Sequence, residues 1–165
     1  MDYSQYYIDL GYKEFHIPSS PDGDYSLNLH NGHMWPRKQF LIAAFPNLDK
    51  TFTSTIVMPR RMYEEINNED DVIYFFNKHF KDLIPLICEA NLRSSFFKQA
   101  PKPLVSVKCS HFHYGKTTVI LGDAAHAMTV FSGQGVNCGL KDALIFDQLM
   151  EEFDCNFKKV LPAFF

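Results

Sequence analysis

Between Val119 and Met150 the chain reads VILGDAAHAMTVFSGQGVNCGLKDALIFDQLM. An apolar run leads to the carboxylate of Asp123, then to His126, and then to Gly133, Gly135 and Gly139 ahead of a long apolar stretch. Glycine lacks the Cβ that holds other groups off a backbone, and it tolerates positive φ. A helix N-terminus presents unpaired N–H groups and a partial positive charge. Together these features make a seat for an anion or an electron-rich ring system. Asp123 falls just past the expected strand's carboxyl end, where ligands of α/β sheets bind, and a carboxylate there accepts hydrogen bonds from sugar-type hydroxyls. The plainer alternative is that Gly122-Asp123 is a turn and the glycines only let a helix pack closely. GQGVNCG is not the phosphate-binding GxGxxG, and the absence of Gly-Lys-Ser/Thr excludes a P-loop.

Other residue types invite other chemistry. Cys109, His111 and His113 in CSHFH alternate, so along one strand they would face one side as metal ligands do. No fourth ligand lies at local spacing, and no metal is expected. Asp123, His126 and Ser132 are the types of a hydrolase triad, but no GxSxG elbow accompanies them; His126 is expected to pack within its loop. Glu64-Glu65 and Glu69-Asp70-Asp71 read as solvated helix starts.

Three blocks must position these residues. Residues 5–60 read as an antiparallel sheet of about four strands. YKEFHI alternates, SSPDGDYS is a turn cluster, and Pro36 marks an edge or strand end. QFLIAAFP and TFTSTIVMP flank a connection of hairpin length, Asn47–Lys50. Residues 60–100 read as helical. The acids from Glu69 to Asp71 precede Val72, Phe75, Phe76, His79 and Phe80 on one face, and Pro85 opens a second short helix. PKPLVSVKCSHFHYG returns to strand. TTVIL, apolar without alternation, reads as a central strand covered on both faces. The helix from about Gly135 reads as buried on more than one face, with Val136, Leu140, Ala143 and Leu144 on one side.

Composition narrows the classes. A hydrophobic content of 46% over 165 residues excludes a disordered chain, and a net charge of −3 gives no basic field for nucleic acid. Four widely spaced cysteines without a CxxC pair predict free thiols in a reducing compartment. No apolar run reaches the length of a membrane span, and the first twenty residues carry no signal peptide.

LGDAAHAMTVFSGQGVNCGLKDA resembles the second FAD-binding motif of the flavin-dependent aromatic hydroxylases, roughly GDAAH, then Pro, then GxGxN. Within that group SQYYIDLGYKEFHIP, HMWPR, IAAFPNLDKTFTSTIVMP, LVSVKCSHFH and GLKDALIFDQLM resemble the kynurenine 3-monooxygenase family. The resemblance implies an α+β fold. Residues 1–100 would supply the antiparallel substrate-domain sheet and helices, and residues 101–165 the last strand and helix of the FAD-binding domain. It implies FAD as cofactor and NADPH as electron donor, with a kynurenine-like aromatic substrate hydroxylated on its ring. Asp123 would bond the ribityl chain. Gly133, Gly135, Val136 and Asn137 would meet the flavin ring, and Phe131 would face substrate. No side-chain nucleophile is required, because the cofactor carries the hard chemistry. The resemblance also implies that full-length members can associate with membrane, at the cytosolic face of the mitochondrial outer membrane; the chain as given would be cytoplasmic.

Two departures stand out. Val130 occupies the position where the family has Pro, which loosens the loop, and Phe131-Ser132 stands where two aromatics are typical. The resemblance also implies a GxGxxG half and a C-terminal region that this sequence does not contain. The chain alone is therefore expected not to hydroxylate efficiently. The alternative expectation is a non-catalytic flavin-binding relative, acting as a binding module or without function.

Overall fold

β1 (Tyr3–Ile17), β2 (His33–Pro36), β3 (Leu41–Pro46) and β4 (Phe52–Pro59) pair antiparallel in the order β2-β3-β4-β1. The computed structural model describes residues 2–164, with the side chain of Ser132 outside the described residues. Two compact units are present, Asp9–Pro103 and Met1–Ile8 with Leu104–Phe165. β1 contributes to both, and its residues Leu10–Ile17 pair with β4 in the first of them.

Alternation decides which face of this sheet is buried. Phe15 and Ile17, Ile42 and Ala44, and Phe52, Ser54, Ile56 and Met58 all point to one side and are buried. Four helices cover them: α1 (Arg60–Glu64), α2 (Glu69–His79), α3 (Ile84–Ile87, with Pro85 in its first turn) and α4 (Glu89–Phe96). Val72, Phe75, Phe76, Phe80, Leu83, Leu92 and Phe96 complete this core. Phe15 meets Phe76 edge-on at 5.6 Å and stacks on Phe96 at 6.2 Å. Lys13 shares the buried side, so its ammonium has to find acceptors. It donates to the Phe96 carbonyl and, at 2.5 Å, to the Gln99 carbonyl, and burial lowers its pKa. The opposite side of the sheet leaves Phe45, Thr53, His16 and Glu14 exposed.

The acids before α2 are part of a cap. Asn68 Oδ1 accepts from the amides of Asp70 and Asp71 at 2.9 and 3.0 Å, and Asp71 Oδ2 accepts from the Asn67 amide at 2.9 Å. Two orphan helix donors and the preceding amide are thereby satisfied. Asn68→Ala is expected to cost about 1 kcal/mol, read as a shift in the urea midpoint. Glu64 and Glu65, expected at a helix start, lie instead at the C-terminal end of α1.

In the other unit β5 (Lys102–Cys109) lies beside β1, with the Ser110 amide donating to the Asp2 carbonyl at 2.9 Å. β6 (His113–Tyr114) and β7 (Thr118–Val119) form a two-stranded antiparallel pair. α5 (Asp123–His126), α6 (Gln134–Glu152) and α7 (Phe157–Ala163) follow. Three expectations fail here. TTVIL is not a central strand: only Thr118 and Val119 are extended, and β6 is their single partner among the described residues. CSHFH is not one strand, since β5 ends at Cys109 and β6 begins at His113. No residue of α6 is buried, and Val136, Leu140 and Leu144 are 68%, 65% and 56% exposed. Periodicity records which side chains want cover, and the cover must come from other chain, which the described residues do not supply. Among the described residues no helix is long and apolar enough to cross a membrane.

Candidate functional site

Gly122 makes the turn from β7 into α5 with φ +56 and ψ −136, a conformation open to glycine and strained for other residues. The amides of Ala125 and His126 both donate to the Gly122 carbonyl at 2.9 Å, closing the short helix that begins with Asp123. α6 approaches this turn with small residues. A Cβ on Gly122 would stand 3.6 Å from Gly139 Cα, and one on Gly135 would stand 3.8 Å from Asp123 Oδ1. The result is an open trough of about 410 Å³ lined by Gly122, Asp123, Gly135, Val136, Gly139 and Leu140.

Three of the sequence-predicted residues, Asp123, Gly135 and Val136, therefore meet in one trough, joined by Gly122, Gly139 and Leu140. Gly133 caps α6 with left-handed φ +63, whereas Gly135 and Gly139 sit inside the helix and serve close approach instead of positive φ. Asn137 lies on the first turn of α6 and donates to Gln134 Oε1 at 3.2 Å. Phe131 belongs to the 3-10 turn Val130–Ser132, is 48% exposed and does not line the trough. The N-cap of α6 is Gly133, which has no side chain, so no Cβ or side chain at that position screens the start of the helix and its partial positive charge.

The residue that sequence reasoning missed is Asp142. Its Oδ2 accepts from the Gly122 amide at 2.8 Å and meets His126 Nε2 at 2.6 Å. The only available signal was spacing, since Gly135, Gly139 and Asp142 fall at i, i+4 and i+7 on one helical stripe. His126 is thus engaged by Asp142 and lies against the Phe112 ring at 5.4 Å, which removes it from any triad with Asp123. Ser132, the third member, has its side chain outside the described residues. Among the described residues no group of three His, Cys, Asp or Glu side chains could hold a metal ion, and Cys109 Sγ contacts the Ala124 carbonyl at 3.8 Å. The four cysteines are free.

The sequence profile of the FAD binding domain matches residues 24–151. The chain belongs to the FAD binding domain family. This FAD binding domain is 44% identical to kynurenine 3-monooxygenase of Sus scrofa over 163 residues, 99% of this chain and 34% of that protein. It is 40% identical to kynurenine 3-monooxygenase of Anopheles gambiae over 163 residues, again 99% of this chain and 34% of the relative. The chain thus spans about a third of the length of the curated relatives it matches. In fold it is similar to the tetrameric form of 2-methyl-3-hydroxypyridine-5-carboxylic acid oxygenase, with a TM-score of 0.74 at 20% identity over 99% of this chain and 43% of that one. The fold is α+β, shared with the FAD-dependent aromatic hydroxylases, and the family's cofactor is FAD.

The residues lining the trough fit part of that cofactor. A Cβ at position 135 would narrow it, α6 begins at a glycine without a side chain, and the Asp123 carboxylate is exposed and bonded to no other side chain among the described residues.

Proposed function

We propose that this chain forms the flavin-ring part and the substrate-domain sheet of an FAD- and NADPH-dependent hydroxylase acting on the ring of a kynurenine-like aromatic substrate. The observation that carries the reading is the trough between the Asp123 turn and the glycine face of α6. Residues 101–165 supply the flavin side and residues 1–100 the substrate side. Asp123 accepts hydrogen bonds from the ribityl hydroxyls. The first turn of α6, with Gly133, Gly135, Val136 and Asn137, presents N–H groups and the positive end of the helix dipole to the ring. Phe131, on the loop before α6, offers an apolar wall to the substrate. Bound FAD supplies the redox chemistry, taking electrons from NADPH and activating dioxygen. The protein's share is to orient the ring, favour negative charge on it and keep water away.

Asp123→Ala is expected to weaken FAD binding at least about tenfold, since a charge-assisted bond is lost; quenching of flavin fluorescence measures it. Equal affinity in the two proteins would remove Asp123 from the site. NADPH oxidation by the chain, with and without kynurenine, tests the activity itself. The exposure of Val136, Leu140 and Leu144 favours a chain that binds flavin without efficient turnover until that face is covered.

A further inference from the structure

We propose that Asp142 is a positioning residue for the flavin site, tying both ends of α5 to α6 through one carboxylate oxygen. The inference rests on the flavin reading of the trough. Oδ2 accepts from the Gly122 amide, at the start of the turn, at 2.8 Å, and meets His126 Nε2, at the last residue of α5, at 2.6 Å. A carboxylate is an acceptor only, so Nε2 carries a proton and donates. Asp142 is 15% exposed and His126 24%, which limits competition from water.

The consequence for the trough is geometric. Asp123 is held between the two bonded residues, Gly122 and His126, while Gly135 and Gly139 stand on the same stripe of α6 as Asp142. One side chain therefore sets the register between the carboxylate that faces the ribityl hydroxyls and the helix turn that faces the ring. No residue of α6 is fully buried, and its ring contacts, Phe146 with Phe157 and Phe164, lie beyond Asp142 toward the helix C-terminus and outside the trough lining. Two hydrogen bonds to a charged group are the stronger tie, since such bonds outweigh neutral ones.

The test uses Asp142→Ala and Asp142→Asn in the full chain, with two readouts. Amide hydrogen exchange by NMR follows Gly122–His126, with the buried α7 residues Val160 and Leu161 as internal reference. FAD affinity is followed by fluorescence quenching. Asp142→Ala is expected to speed exchange at Gly122 and its neighbours by about tenfold or more while Val160 and Leu161 keep their rates, and to weaken FAD binding by about tenfold. Asp142→Asn, whose amide oxygen still accepts from both donors, is expected to restore most of the protection and affinity. Unchanged Gly122 exchange in Asp142→Ala overturns the proposal, as does a uniform rise that includes Val160 and Leu161. FAD binding that Asp123→Ala abolishes and Asp142→Ala leaves intact overturns the positioning role alone. Absence of FAD binding by the unsubstituted chain overturns the flavin reading, and the positioning role with it.

Discussion

Phe76→Ala is expected to destabilise the Asp9–Pro103 unit by about 3–5 kcal/mol. Phe76 is fully buried on the inner side of α2. Its ring meets Phe15 of the sheet edge-on at 5.6 Å and packs beside Phe75 at 5.8 Å and Phe80 at 6.0 Å. Truncation removes the transfer free energy of a whole ring. It also leaves a cavity that flanking aromatics, fixed by their own contacts, cannot close. The chain's single tryptophan, Trp35, lies in the same unit and donates to Asp82 Oδ2 at 2.6 Å, so its fluorescence reports this unit's unfolding. A lower urea midpoint with an unchanged slope is the expected result. A loss below about 1 kcal/mol would show that the sheet and α2 do not share this core.

Gly122→Ala is the largest effect expected at the site itself. The cost is conformational and not spatial: the added Cβ would meet Gly139 Cα at 3.6 Å, an ordinary contact, but φ is +56 with ψ −136. Holding an L side chain there costs about 1–3 kcal/mol. The backbone can escape only by rotating the Gly122 N–H away from Asp142, which moves Asp123. Both a lower melting temperature, followed by the helical signal, and FAD binding weakened by about tenfold or more are therefore expected. Gly139→Ala is the comparison, because the contact distance is the same and position 139 is helical, where alanine is favoured by about 1 kcal/mol. If the two substitutions behave alike, the strained turn is not what shapes the site.

Local pattern carried much of the fold into view. The hairpin of β3 and β4 follows from β-rich runs around Asn47–Lys50, and α2 from acids ahead of Val72, Phe75, Phe76 and Phe80 at helical spacing. Pro85 opened α3 and Pro36 closed β2, since a fixed φ and a missing N–H restrict proline to such places. Two of the failures share one cause. Val136, Leu140 and Leu144 were read as buried and TTVIL as a central strand, because apolar pattern states a demand for partners without saying whether they are at hand. CSHFH failed differently: alternation needs continuous extended backbone, and the chain bends after Cys109.

At the site, residue types and order were enough to place a carboxylate after a strand and glycines at a helix start, and the resemblance those residues carry named FAD. These are properties of adjacent residues, which local backbone chemistry settles. Only the tertiary structure decided which glycines turn and which permit approach: Gly122 and Gly133 hold positive φ, while Gly139 lies against Gly122. It also decided that His126 answers to Asp142 and not to Asp123. The physical reason is distance along the chain. A hydrogen bond acts over about 3 Å, and the sixteen residues from His126 to Asp142 are brought within that reach only by the path of the loop and the phase of α6.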